Sequence, residues 1–155
     1  MSEKPIIGWR EFCALPSLNI PAIKAKIDTG ARTSSLHTAS IEPFEKNGKL
    51  YVKFIVHPLQ NNLTVEIECI AETLGQREIK NSGGDTELRF VIKVPIKIGA
   101  FEEDIELTLA NREEMKFRML LGREALSRFA LIDTSKSYCT GRYSRKKLIT
   151  LYSNH

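Results

Sequence analysis

The feature that most constrains the fold is a repeated alternation of apolar and polar residues in short segments separated by glycine-containing turns. Successive side chains of a β-strand point to opposite faces, so a period of two predicts strands with one buried face. Ile23, Ala25 and Ile27 alternate with lysines, and Leu63 to Ile70 alternates apolar residues with Thr and Glu. Further strands are predicted at 50–56 and 105–109, and at 77–80 and 88–98, which flank Ser82-Gly83-Gly84-Asp85.

The turns between these segments favour tight antiparallel connections. Asn47-Gly48 lies between two apolar runs and predicts a hairpin, because both residues tolerate positive φ. Ser82-Gly83-Gly84-Asp85 predicts a second hairpin with a flexible tip, and Gly99-Ala100 predicts a further turn.

One segment has helical spacing. After Gly122, the residues Ala125, Leu126 and Phe129 fall on one side of a helix. Many short strands with one short helix near the end predict an all-β fold, a closed or nearly closed β-barrel with a short C-terminal helix.

The basic residues concentrate in the last part of the chain. From Lys136 onward there are five basic residues and no acidic ones, whereas the preceding residues carry 18 basic and 19 acidic side chains. We therefore predict a domain over residues 1–135 and a basic extension over residues 136–155, packed on the domain or partly mobile. Three of the four tyrosines lie in this extension, so nucleic-acid binding is expected only there.

The first 20 residues contain Glu3, Glu11 and two prolines where a signal peptide needs an apolar core. No apolar run approaches the roughly 20 residues that span a bilayer. The three cysteines are far apart and form no C-x-x-C motif, which predicts reduced thiols rather than a disulfide framework. These features together predict a cytoplasmic protein without a membrane partner.

The segment whose residue types best suit a reactive site is Asp28-Thr29-Gly30-Ala31, which follows the apolar strand ending at Ile27. A carboxylate at a strand-to-loop junction is held rigidly by the sheet. The Thr29 hydroxyl can fix the loop, Gly30 permits close approach of a backbone or substrate, and Ala31 leaves the next amide accessible. Asp-Thr-Gly alone also fits an ordinary turn.

A second segment lies far along the chain, at Phe117 to Arg123. Leu120 and Leu121 are followed by Gly122 and Arg123, directly before the predicted helix. This arrangement would let a strand pass tightly beside the loop that contains Asp28. The two segments together resemble aspartic proteases of the retroviral, or retropepsin, type.

A closer resemblance extends over nearly the whole chain. Five motifs occur in this order: Ile7-Gly8-Trp9-Arg10-Glu11, Ala25 to His37, Arg77 to Gly84, Thr108-Leu109-Ala110-Asn111-Arg112 and Met119 to Arg123. They resemble the bacterial and archaeal family labelled ATP-dependent zinc protease, whose members are often associated with a ligase that adds glutamates to a ribosomal protein. The resemblance implies a retropepsin-like fold.

The resemblance also implies roles for individual residues. Asp28, Thr29 and Gly30 would be catalytic, and Leu120, Leu121, Gly122 and Arg123 would support their loop. The hairpin with Ser82, Gly83 and Gly84 would be the flap, which with Ala31 and Arg32 would contact a peptide or protein substrate. Arg32 fits an acidic, glutamate-rich substrate or a carboxylate on the protein's own surface.

An aspartic protease needs two carboxylates, and this chain has one Asp-Thr-Gly. Asp133-Thr134-Ser135 lacks the glycine and is predicted to be a strand end with a polar turn. The second aspartate is therefore expected from another copy of the chain in a twofold homodimer.

Two alternatives remain open. The first is a noncatalytic barrel that binds peptide or RNA. The second is a zinc peptidase, although His37, His57 and His155 lack the spacing of H-E-x-x-H and no phosphate-binding G-x-x-x-x-G-K-[ST] is present. We expect no cofactor and no metal.

Overall fold

The computed structural model describes residues 4–60, 62–80, 83–111 and 117–153. The strands are β1 (Ile6–Ile7), β2 (Arg10–Leu15), β3 (Ile20–Ile27), β4 (Ser34–His37), β5 (Ser40–Lys46), β6 (Lys49–Val56), β7 (Ile67–Lys80), β8 (Thr86–Ile98), β9 (Phe101–Ala110), β10 (Met119–Leu121) and β11 (Leu131–Ile132). The two α-helices of this part of the chain are α1 (Arg123–Phe129) and α2 (Arg145–Ser153), and a 3₁₀ turn spans Pro16–Leu18. Neither helix has the length and apolarity needed to cross a membrane.

Six strands close into a barrel in the order β2-β3-β10-β4-β9-β8. The barrel closes where β8 pairs back to β2, with Ala14 opposite Lys97. The apolar side of each strand points inward, and side chains such as Leu15, Ile92 and Leu107 are fully buried. The predicted all-β closed barrel is confirmed.

The short strand β10 lies between β3 and β4. It runs parallel to β3, with Met119 opposite Ala25, and antiparallel to β4, with Met119 also opposite Leu36. The chain leaves β3 at Ile27 and enters β4 at Ser34, so β10 fills the gap beside the loop that joins them. This insertion brings residues 119–121 next to the loop that contains Asp28.

The first predicted hairpin is confirmed. β5 and β6 pair antiparallel up to Lys46 opposite Lys49, and the turn between them is formed by Asn47 and Gly48. Both turn residues have positive φ, 54° and 78°, as the Asn-Gly pair predicts.

The strand predicted from Leu63 is wrong in its bounds. It begins only at Ile67, and it continues through the predicted segment 77–80 as one strand. Gly75 has a φ of 103°, and the pairing with β8 shifts register between Thr73 and Gly75. This bulge breaks the alternation, so one long strand has the sequence pattern of two.

The prediction of a single helix is also wrong, because the basic extension contains α2. Leu148 and Tyr152, four residues apart, are buried against the barrel, and the Tyr152 hydroxyl donates to the Ala22 carbonyl. The Ser144 hydroxyl accepts from the Lys147 amide at 3.1 Å and caps the helix.

Glu11 attaches the segment before α2 to the barrel. Its carboxylate, which is fully buried, accepts from the Gly8 amide at 2.7 Å, the Cys139 amide at 2.8 Å and the Thr140 amide at 3.0 Å. Burial raises the pKa of this carboxyl, but the hydrogen bonds from Thr140, Gly8 and Cys139 outweigh it and leave the pKa below its ordinary value.

Candidate active site

Asp28 occupies the first position after β3, at the mouth of the barrel. Its amide donates to the Leu121 carbonyl at 2.9 Å, which extends the β3–β10 pairing by one residue. One carboxylate oxygen, Oδ1, accepts from the Gly30 amide at 3.0 Å. The other oxygen has no hydrogen-bond partner within the described ranges, so this half-buried carboxylate can still bind a proton, a water or a second carboxyl group.

Gly122 packs against the loop that follows Asp28. A Cβ added to Gly122 would lie 2.5 Å from the Thr33 carbonyl oxygen and 2.9 Å from the Ala31 oxygen. The Gly122 amide donates to the Ser34 hydroxyl at 3.0 Å. Because no side chain fits here, glycine is required for β10 to reach the loop.

Arg123 and the first turn of α1 hold the Asp28 loop, residues 28–31. One guanidinium nitrogen, Nη1, donates to both the Thr29 and the Gly30 carbonyls, each at 3.1 Å. The Arg123 amide donates to the Ala31 carbonyl at 2.8 Å. Gly122 and Arg123 thus both contact the loop that follows Asp28, and their role in supporting an active site stays a prediction.

Leu120 and Leu121 lie in β10 opposite Lys26 and Ile27. Leu121 is fully buried and supplies the carbonyl that fixes the Asp28 amide. Leu120 is half-buried and acts on the loop through backbone pairing, whereas Leu121 adds core packing.

Thr29 and Gly30 are exposed at the tip of the Asp28 loop. A Cβ on Gly30 would meet only Asp28 Oδ1, at 3.2 Å. The described part of the chain thus brings no backbone close to Gly30, and the tight approach within one subunit occurs at Gly122. A close approach to Gly30 stays a prediction about a second molecule.

A cleft of about 840 Å³ opens between the Asp28 loop and the end of the β7–β8 hairpin. Asp28, Gly30, Ala31 and Arg32 line one side of it. The hairpin side is formed by Arg77, Glu78, Ile79, Lys80 and Arg89. Gly83 and Gly84 are exposed at the hairpin tip and are absent from the wall of this cleft, and Ser82 lies outside the described residues.

The hairpin residues that line the cleft were not singled out from the sequence as substrate contacts. The signal was present, because Arg77 to Lys80 directly precedes the glycine-rich tip and Arg89 follows it.

The cleft is rich in cations, several of which pair with carboxylates of the same chain. Arg32 contacts Glu124 at 2.7 Å, Arg77 contacts Glu106 at 2.8 Å, and Arg89 pairs with Glu87. Of the two interpretations of Arg32, pairing with a carboxylate of its own chain is the one the structure contains. Lys80 forms no ion pair with any residue that the structure describes.

Metal-binding potential was assessed over the same residues. Within the described ranges, no group of three or more His, Cys, Asp or Glu side chains is placed to hold a metal ion. His57 contacts Glu66 at 3.7 Å, and His37 is buried in β4.

Comparison with known proteins identifies relatives over nearly the whole chain. The profile of a RimB-like family, described as retropepsin-like aspartic endopeptidase RimB, matches residues 6–143. A solved structure from Legionella pneumophila, the protein Lpg0085 of unknown function, superposes with a TM-score of 0.75 at 29% identity. The match covers 89% of this chain and 99% of that one.

Curated relatives are longer than this chain. A protein of Shewanella halifaxensis named "Probable alpha-L-glutamate ligase" is 46% identical over 150 residues, covering 97% of this chain and 33% of the relative. A protein of the same name from Desulfotalea psychrophila is 45% identical, with 97% and 32% covered. The chain therefore spans about a third of the length of these relatives.

Proposed function

This chain belongs to the RimB-like family of retropepsin-like aspartic endopeptidases, and on that premise we propose that it is an aspartic peptidase that works as a homodimer. Each subunit contributes Asp28. The two carboxyl groups share one proton, because two adjacent carboxylates would repel each other if both were ionised. The ionised carboxylate takes a proton from water, the protonated one donates to the peptide carbonyl oxygen, and the water oxygen attacks the carbonyl carbon.

The observation that carries this proposal is the way β10 fixes the Asp28 loop. Hydrogen bonds from Arg123 and from the Asp28 amide set the loop backbone, while one oxygen of the carboxylate stays open to the cleft. A rigid backbone around a reactive carboxylate is what positioning for catalysis requires.

The dimer supplies what the single chain lacks. Ile6 of β1 and Leu131 of β11 lie opposite each other in a two-stranded parallel sheet, with 51% and 57% of their surfaces exposed. Two residues after β1, the Trp9 carbonyl accepts from the amide of Ile27, the residue before Asp28, at 2.8 Å. Exposed apolar side chains beside unpaired strand edges favour association with a second copy.

The charge of the cleft supports an acidic peptide as the substrate. Arg32, Arg77, Lys80, Arg89 and Arg123 line it, against the acidic residues Asp28, Glu78 and Glu124. A glutamate side chain can bind Lys80 directly, or replace Glu124 or Glu106 as the partner of an arginine. The name glutamate ligase, carried by longer relatives that contain this region, supports the same substrate class.

The test measures cleavage of glutamate-rich peptides by the wild type and by Asp28→Asn, which keeps the shape and removes the charge. We expect cleavage by the wild type only, with unchanged melting curves and sedimentation. Equal turnover by Asp28→Asn would refute the aspartic mechanism.

A second arm separates this mechanism from a zinc peptidase. Activity should persist in excess chelator and fall with a statine-type inhibitor. Loss of cleavage in chelator, followed by recovery with stoichiometric Zn²⁺, would establish zinc chemistry instead.

A further inference from the structure

The outer face of β2 and β3 carries an unusual group of cations around one aromatic ring. The guanidinium of Arg10 lies 4.8 Å from the centre of the Tyr138 ring, that of Arg142 lies 5.2 Å away, and the Lys24 ammonium lies 5.9 Å away. We call these four residues the cation–aromatic face. The Tyr138 ring is fixed from below, because it stacks on Phe12 at 5.2 Å.

The cations of this face differ from those of the cleft. Arg32, Arg77 and Arg89 are paired with carboxylates, whereas Arg10, Lys24 and Arg142 form no ion pair with any described residue. Three like charges near one ring repel each other, and the ring offsets this only in part. The local charge therefore favours an anionic ligand.

A pocket of about 170 Å³ adjoins this face, between β3, the residues Pro58, Leu59, Gln60 and Asn62, and α2. Its wall contains two cations, Lys24 and Arg145, the ring of Tyr143, and the side-chain amides of Gln60 and Asn62. The floor is apolar, and no acidic residue contributes to the lining among the residues that the structure describes. Tyr143 is held in place by an edge-on contact with Phe12, whose ring centre lies 5.1 Å away.

We propose that this pocket, the Tyr143 pocket, binds a nucleotide, either free or as one unit of an RNA strand. The base would stack against the Tyr143 ring, and the Asn62 amide nitrogen can donate to the edge of a base. The amide oxygens already accept hydrogen bonds, that of Gln60 from Lys24 at 3.3 Å and that of Asn62 from Thr64 at 2.8 and 2.6 Å. Lys24 and Arg145 would bind the phosphate, and Arg142 lies near enough to the same face to bind a neighbouring phosphate of a strand.

A nucleotide fits this pocket better than an acidic peptide does. The carboxylates of an acidic peptide would bind the cations, but they would make no contact with the Tyr143 ring or the apolar floor. A nucleotide combines a flat ring with a charged group and so uses both parts of the site. The Tyr143 pocket shares no lining residue with the cleft that contains Asp28, so this proposal goes beyond peptide cleavage.

The experiment measures binding of two probes at low salt: AMP by calorimetry, and a fluorescein-labelled oligouridylate of ten nucleotides by anisotropy. Lys24→Glu and Arg145→Glu should each weaken binding by about tenfold or more, because each removes a charge-assisted hydrogen bond and adds repulsion. Lys49→Glu makes the same charge change at the exposed β5–β6 turn and should change affinity by less than about twofold. Circular-dichroism melting curves check that each variant folds.

The outcomes separate the possible ligands. Binding of AMP identifies a free nucleotide as the source, and binding of the oligonucleotide alone identifies a strand; both support the pocket. If Tyr143→Leu binds the probe more weakly than the wild type does, the result supports base stacking. The proposal is overturned if neither probe binds, if Lys49→Glu weakens binding as much as Lys24→Glu, or if a polyglutamate peptide competes equally well. Nucleotide binding should survive in Asp28→Asn, which keeps this result independent of the peptidase test.

Discussion

A side chain on Gly122 would overlap the backbone of Thr33, because its Cβ would lie only 2.5 Å from the Thr33 carbonyl oxygen. The two residues are far apart in sequence and meet because β10 lies between β3 and β4. The obstacle is backbone rather than the flexible end of a side chain, so neither partner can move aside without displacing the Asp28 loop.

Gly122→Ala should therefore lower the free energy of unfolding by about 2 kcal/mol or more, the cost of overpacking against a rigid neighbour. Gly30→Ala is the matched control, since its Cβ would meet only Asp28 Oδ1 at 3.2 Å. That variant should lose less than about 1 kcal/mol. Urea denaturation of both proteins measures the difference, and equal losses would contradict the packing described at Gly122.

Gly30→Val tests the predicted contact with a second molecule. A β-branched side chain at this exposed loop tip should block the approach of a partner loop, whereas Ala100→Val at the exposed β8–β9 turn should not. We expect a shift of Gly30→Val toward the monomer in sedimentation velocity, together with loss of peptidase activity. Similar small effects of both changes would indicate that Gly30 is only a turn residue.

Arg123→Ala should loosen the Asp28 loop, because two carbonyls lose their hydrogen-bond donor. We expect amide hydrogen exchange at residues 28–31 to accelerate and kcat to fall by about tenfold or more, with KM little changed. Arg128→Ala is the control on the same helix, since its guanidinium contacts the Asp104 carbonyl at 3.3 Å. Unchanged exchange in Arg123→Ala would show that backbone pairing alone holds the loop.

Glu11 should make stability depend on pH. Its pKa is lower in the folded chain than the unfolded value of 4.5, so its contribution is complete above that value. The contribution is lost as pH falls from 4.5 through the folded pKa, because the protonated carboxyl no longer binds the Gly8, Cys139 and Thr140 amides as a charged acceptor.

The Glu11→Gln variant should lose about 2 kcal/mol or more at pH 7, because a charged acceptor becomes an amide facing several donors. The deficit should shrink toward acid pH. Urea midpoints for both proteins between pH 7 and pH 3 measure it, and a deficit that does not vary with pH would contradict this role for Glu11.

The three thiols should differ in reactivity. Burial raises the pKa of both Cys13 and Cys69 to about 12, and the two side chains are inaccessible, whereas Cys139 is exposed. One thiol should therefore react with Ellman's reagent in the native protein, and three should react in denaturant. The native Cys139→Ser variant should not react rapidly with the reagent. A rapid reaction in this variant would mean that a buried cysteine becomes accessible.

The sequence was most informative where local chemistry determines the structure. Asn47-Gly48 specified its hairpin, and the spacing of Ala125, Leu126 and Phe129 specified α1. The segments Asp28 to Ala31 and Leu120 to Arg123 together resemble retropepsins, and that resemblance predicted that Gly122 would approach the loop of Asp28. No local pattern could give that contact, because it depends on how β10 inserts between β3 and β4.

The errors have two physical causes. The bulge at Gly75 interrupts the alternation of β7, so a single strand was divided in two. The helix α2 is short and mostly exposed, with Leu148 and Tyr152 as its buried residues, so its apolar stripe was too narrow to stand out among basic residues. Ser144 before it was a usable N-cap signal.

The insertion of β10 also has a consequence for folding kinetics. The bonds from Arg123 to the Asp28 loop join residues 94 and 93 positions apart, so they close a long loop. Contacts of such high sequence separation form late, because the entropy of loop closure must be lost before they contribute. A partly folded chain would thus contain Asp28 without the backbone geometry proposed for catalysis. The proposed cleavage would therefore begin only after β10 has inserted between β3 and β4.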